Sequence, residues 1–136
     1  MRLIETAATF DETLPSGVTV TLRSLSGPLY QAARMAAATR ARDGEAWPEG
    51  LDRTNEAHRL GVGLAMLNEE LARLGVVGWS DVEDADGAPL DCTPDNAARL
   101  AHAMPHDGAA IHAAVTRRVA PSIAEDEDEG NGSRQP

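Results

Sequence analysis

GVVGWSDVEDADGAPLDCTPDN, residues 75–96, packs a helix end, a tight turn and a helix start into one short span. Gly75 closes a leucine-rich run and suits the position just past a helix, where left-handed backbone favours glycine. An apolar run then reaches Gly78-Trp79. Asp86-Gly87 supplies the positive φ values that the centre of a type I′ turn demands, so a β-hairpin is expected over about residues 76–91. Pro89 cannot donate to a strand ladder, which confines the second arm to an edge. Thr93 is a good N-cap, Pro94 fits the first helical position, and Asp95 complements the positive end of the helix. A calcium reading of Asp84-Ala85-Asp86-Gly87 fails on spacing. With Gly87 as the sixth loop position, Val82 would be the first and Thr93 the twelfth, where an EF-hand needs an acid and a bidentate glutamate.

On the N-terminal side of this stretch, residues 52–74 form the clearest helix. Leu60, Leu64, Leu67, Leu71 and Leu74 recur at alternating spacings of four and three, one face of a helix in heptad-like phase. The stripe is read as a core-facing side, with a self-association seam and hence a homo-oligomer as the alternative. Glu69 and Arg73 stand four apart in the favourable order, and Gly61 and Gly63 point to a close crossing or a kink. Before it, residues 29–42 make an alanine-rich helix with Leu29, Ala33, Ala36 and Arg40 on one side. Ser24 or Ser26 caps it, Pro28 lies in its first turn, and Asp43-Gly44 ends it. Residues 47–50 read as a loop. Val18, Val20 and Leu22 alternate with Thr19, Thr21 and Arg23, which is a strand with one apolar face. Leu14-Pro15-Ser16-Gly17 reads as a turn, and residues 1–10 as a short strand able to pair with it.

On the C-terminal side, Ala97, Leu100, Ala101 and Met104 form the apolar side of a short helix stopped by Pro105. A second, over about residues 107–120, carries Ile111, Ala114, Val115 and Val119 in register, with Arg117 and Arg118 in its last turn, and Pro121 ends it. The run EDEDE at 125–129 and the following GNGS mark a solvated, disordered acidic tail. The expected fold class is therefore mainly α with a small β component (α+β). One domain is expected over 1–120, followed by the tail at 121–136.

Composition narrows the function classes. The chain has 136 residues, of which 24 are alanine and only 25 are Leu, Ile, Val or Phe, so helix contacts are thin. A formal charge of −10 disfavours nucleic acid and anionic membrane, both of which call for a basic surface. No apolar run approaches the roughly 18 residues of a membrane span. The single Cys92 excludes an internal disulfide framework and suits a reducing cytoplasm. His58, His102, His106 and His112 make no metal-ligand pattern: the His102/His106 spacing is helical, but Pro105 interrupts it. Cys92 lacks a nucleophile elbow or a glycine-rich turn, and a small buried hydrophobe is its expected role. No catalytic residue, cofactor or metal is expected.

Two stretches, VTVTLRSLSGPLYQAARMAA and VVGWSDVEDADGAPLDCTPDN, together resemble the tail assembly chaperones of long-tailed bacteriophages and prophages. The resemblance covers residues 18–119. It is carried by Gly78-Trp79, the Asp84, Asp86, Gly87 turn, Pro89-Leu90, and the helix start Thr93, Pro94, Asp95, Asn96. Cys92 stands where a larger apolar residue is common. The resemblance implies a non-enzymatic holdase in the host cytoplasm, absent from the mature virion. Its implied partners are the tape measure protein and the tail tube protein. By that implication, the Leu60–Leu74 face and the helix at 29–42 frame a groove for amphipathic helices. The alternatives are a structural virion component, such as a head–tail connector or tail-completion protein, and an acidic DNA-mimic decoy. The decoy is disfavoured because five of the 22 acids sit in the tail.

Overall fold

The computed structural model describes residues 8–43 and 47–117. The expectations for residues 1–7, for Gly44, for Arg118, Val119 and Pro121, and for the acidic tail lie outside them. The elements run β1 (Thr9–Thr13), β2 (Thr19–Arg23), α1 (Gly27–Asp43), α2 (Glu56–Gly75), β3 (Val76–Trp79), α3 (Pro94–Ala103) and α4 (Pro105–Arg117). This is a mainly helical α+β fold with a three-stranded antiparallel sheet in the order β1-β2-β3.

The alternation in β2 sets the sheet's inner face: Val20 and Leu22 are fully buried, while Thr19 and Thr21 look outward. The β1–β2 turn forms at Leu14-Pro15-Ser16-Gly17, with the Gly17 N–H donating to the Leu14 carbonyl and Gly17 at φ +96°. That turn is tied to the helices by Asp107, a buried carboxylate that accepts hydrogen bonds from the Ser16 N–H and hydroxyl. The core gathers Val20 and Leu22 with Leu71 of α2 and Ile111 and Val115 of α4, all fully buried. A smaller cluster joins Ala37 of α1 to Val62 and Met66 of α2.

The expected hairpin over 76–91 divides into two parts. Residues 76–79 do not fold back on 88–90 but add to the far side of β2, with Val20 opposite Trp79 and Leu22 opposite Val76. The register shift between Thr21 and Leu22 leaves Val77 as the extra residue, and its side chain faces solvent. The tight turn survives as a short loop with a single bridge, Glu83 to Pro89. It is not type I′. Gly87 is at φ +81°, but Asp86 is not in the positive region. The Gly87 N–H donates to the Asp84 carbonyl and the Asp84 N–H to the Ala88 carbonyl, the pattern of a type I turn closed by a left-handed glycine. Asp84 fixes it further, its Oδ1 accepting from the Asp86 and Ala88 N–H groups.

Gly75 also has a different reason from the expected one. It is still helical in α2, not left-handed, and the chain passes straight into β3. A Cβ at this position would lie 2.8 Å from Cγ1 of Val115, so glycine is required by the approach of α4. Arg23 of β2 completes the junction, its Nε donating to the Leu74 carbonyl at 2.6 Å. Gly61 and Gly63, by contrast, have no neighbour within 4 Å of an added Cβ, and the expected close crossing there is absent. The close crossing falls at Gly108, where an added Cβ would be 3.0 Å from the Ala101 carbonyl of α3.

Two outcomes follow from this packing. Gly75→Ala should gain up to ~1 kcal/mol of helix propensity but lose about 1–3 kcal/mol to overpacking, a net destabilisation in urea melts. With Val115→Ala as background, the same change should lose that cost, and equal costs in both backgrounds would show that Val115 is not the constraint. His112 sits between α4 and α2, Nδ1 2.7 Å from Oδ1 of Asn68, and burial pushes its imidazole below the ordinary value. The folded state therefore binds fewer protons than the unfolded state just below about pH 6.5, and stability should fall as pH drops through that window. His112→Gln should flatten that part of the profile in melts between pH 7.5 and 5.5.

Candidate partner-binding groove

Three helices and one loop enclose an open groove of about 710 Å³. On α2, Val62, Met66, Glu69 and Arg73 follow one another at helical spacing and share a side. Val62 and Met66 form the apolar floor together with Ala98 of α3. Asp95, Ala98, Arg99 and His102 recur along the facing side of α3 by the same periodicity. Pro48 and Leu51 supply the third wall from the loop between α1 and α2. That loop is held in place by Trp47, whose Nε1 donates to the Ala41 carbonyl and whose ring carries the Arg53 guanidinium 5.4 Å from its centroid. Asn55 then caps α2 by accepting from the His58 N–H. Just before it, Asp52 accepts from both the N–H and the hydroxyl of Thr54, which lowers its carboxyl below the usual range.

One end of the groove is charged. Arg40 of α1 reaches across, its Nη2 3.0 Å from Oε1 of Glu69 and its Nη1 2.8 Å from Oε2 of Glu70. Glu69 is 9% exposed, and His102 Nδ1 lies 3.4 Å from its other oxygen. Arg73 pairs with Glu70 at 3.0 Å and with Asp95 of α3. The i,i+4 pair expected between Glu69 and Arg73 is thus replaced: Glu69 goes to α1, and Arg73 takes the i,i+3 partner and a tertiary one. A buried carboxylate needs a cation and hydrogen-bond donors, and only the tertiary fold brings Arg40 to it.

None of the leucines of the expected binding face lines this groove. Leu71 is fully buried, Leu67 and Leu74 are half-buried against the core, and only Leu60 (68% exposed) and Leu64 (55%) face solvent. The stripe is core-facing at its C-terminal half and uncovered at its N-terminal half. α1 and α2 pack directly on each other through Ala37, Val62 and Met66, and this groove opens on the α3 side of that contact, with Arg40 of α1 at its edge. The signal that was missed is the second α2 stripe, hidden because it mixes Val62 and Met66 with Glu69 and Arg73.

The residues that carry the family resemblance build the connection from β3 to α3. Trp79 Nε1 donates to the Leu90 carbonyl at 2.8 Å, pinning the loop to the end of β3. Gly78 sits opposite Thr21 of β2. Asp84, Asp86, Gly87 and Pro89 form the turn already described. Thr93 accepts from the Asn96 N–H, Pro94 opens α3, and the Asn96 amide reaches back to the Asp91 carbonyl. Cys92 packs against the core, and burial pushes its thiol up, away from the reactive thiolate. Among the described residues no group of three or more His, Cys, Asp or Glu is placed to hold a metal ion. No helix among them is long and apolar enough to cross a membrane. Comparison with protein-family models, curated proteins and solved structures returns no match for this chain.

Arg40→Met should destabilise the fold by about 1–3 kcal/mol, because it strands Glu69 in a poorly hydrated place. Adding Glu69→Gln should recover part of that loss. A double variant that costs the sum of the two singles in urea melts would show that the pair is not coupled.

Proposed function

We propose that this chain is a non-enzymatic assembly chaperone that holds amphipathic helices of a longer partner. The observation that carries the reading is the open groove beside α2, with the uncovered Leu60 and Leu64 on the same helix. An apolar floor bounded by charge is the arrangement that takes a helix by its apolar face, with side chains at i, i+3, i+4 and i+7 as anchors. The sequence resemblance to phage tail assembly chaperones names the partner class: the tape measure protein as the helical client, with tail tube subunits gathered around it. Overall acidity supports such a role, since a charged holder resists co-aggregation with an apolar client.

Co-expression with the tape measure protein tests this reading. Ala65→Glu with Ala103→Glu places charge in the groove, and Leu60→Glu with Leu64→Glu places it on the open face of α2. All four positions are exposed, so each pair should change stability by roughly 0.5 kcal/mol or less per site. The wild type should keep the client in the soluble fraction, and the groove variant should return it to pellet. Client solubility unchanged by both pairs would overturn the reading, as would recovery of this chain as a stoichiometric part of purified tail particles.

A further inference from the structure

Gly61 lines the groove, yet the fold gives no reason for a glycine there. It lies inside α2, is not among the glycines of positive φ, and an added Cβ would meet nothing within 4 Å. Glycine is the least favourable residue after proline in a helix interior, so the position weakens α2 and leaves open space in the groove instead. Ala65 and Ala103 line the groove with it, and both are exposed. The lining positions on α2 run from Gly61 to Arg73, roughly 18 Å along the axis, or about three turns of a helix. An occupant helix can therefore lie along α2 with its backbone close at Gly61.

The α3 side supplies the charge. Arg40 and Arg73 are matched with Glu69, Glu70 and Asp95. Arg99 stands outside that cluster. Its Nη1 donates to the Asn96 side-chain oxygen at 3.1 Å, no carboxylate among the described residues lies within ion-pair distance, and it is exposed where it lines the groove. A guanidinium fork matches a carboxylate, whereas Glu69 and Asp95 in the same lining disfavour a polyanion. A lone carboxylate beside an apolar helix face fits both conditions. We infer that the groove selects, among amphipathic helices, those that carry a carboxylate at the border of the apolar side, with Arg99 taking the carboxylate and Gly61 admitting the helix backbone. This selectivity rests on the groove being the binding surface proposed above, and a groove that takes helices without regard to charge would leave that reading intact.

Two labelled helical peptides of about 18 residues, sharing one leucine stripe and differing only in glutamate or glutamine at its border, are titrated with the full chain and followed by fluorescence anisotropy. The glutamate peptide should bind about 2–5-fold more tightly, the range of an exposed ion pair. Arg99→Gln should abolish that preference, and salt at about 0.5 M should reduce it. Gly61→Leu should weaken both peptides by about tenfold or more, because it overpacks an occupied groove. The same change should raise the chain's own urea midpoint through better helix propensity, a combination that a purely structural glycine would not show. Equal affinities for the two peptides, a preference that survives Arg99→Gln, or unchanged binding by Gly61→Leu would each overturn the inference. Equal affinities that Ala65→Glu with Ala103→Glu abolish would leave the groove reading standing, whereas binding of neither peptide to the wild type would overturn both.

Discussion

The passage of α2 directly into β3 at Gly75 constrains the rest of the fold. A helix that becomes a strand without a loop fixes the angle between the helical layer and the sheet. Three contacts hold that angle: Val115 against the missing Cβ of Gly75, the Arg23 side chain on the Leu74 carbonyl, and the Val76 N–H on the Ala72 carbonyl. Because β3 must then pair with β2, Leu22 and Val20 are brought over Leu71 and Ile111, and the core closes. The β1–β2 turn is drawn to the start of α4 by Ser16 and Asp107, at the far end of the same helix. The sheet is thus clamped at both ends of α4.

Small residues make this possible and set its limits. The α3–α4 crossing uses Gly108 against Ala101, and the α1–α2 contact uses Ala33 and Ala37. Such contacts let backbones approach but bury little apolar area per residue. Little surplus surface remains to cover the N-terminal half of α2, so Leu60 and Leu64 stay in water. The groove is the other consequence. With α1 and α3 both held close to α2 by alanine-rich sides, the space they leave between their rims is bounded, among the described residues, by the loop at Pro48 and Leu51.

What the sequence made legible is what local chemistry determines. The alternation of Val20 and Leu22 fixed the inner face of β2, and Thr93, Pro94 and Asn96 fixed the start of α3, because each signal acts within a few residues. The turn at Leu14-Pro15-Ser16-Gly17 was legible for the same reason. Long-range events were not. Nothing near Val76 announces that its partner is Leu22, and the turn at Asp84 to Gly87 suggested the nearer partner instead. Gly75 was recognised as a helix end for a reason that applies to left-handed caps, whereas its cause is a side chain forty residues later. The groove escaped because a stripe containing Glu69 and Arg73 reads as solvent-facing until Arg40 arrives from another helix.

The ion-pair cluster at the groove's end therefore contributes more to shape than to net stability. Buried or half-buried pairs gain little over their desolvation cost, but leaving one member unpaired is expensive. Arg40, Glu69, Glu70, Arg73 and Asp95 together tie α1, α2 and α3 to one another in a directional way that alanine contacts cannot supply. An alanine-lined interface could slide and let the groove collapse. A carboxylate buried at Glu69 penalises such sliding, because any displacement of Arg40 leaves it without its cation. The groove is consequently preorganised, and preorganisation lowers the ordering cost that an occupant would otherwise have to offset on binding. The same cluster consumes the charge of Arg40 and Arg73, which meet Glu69, Glu70 and Asp95 along the groove's end.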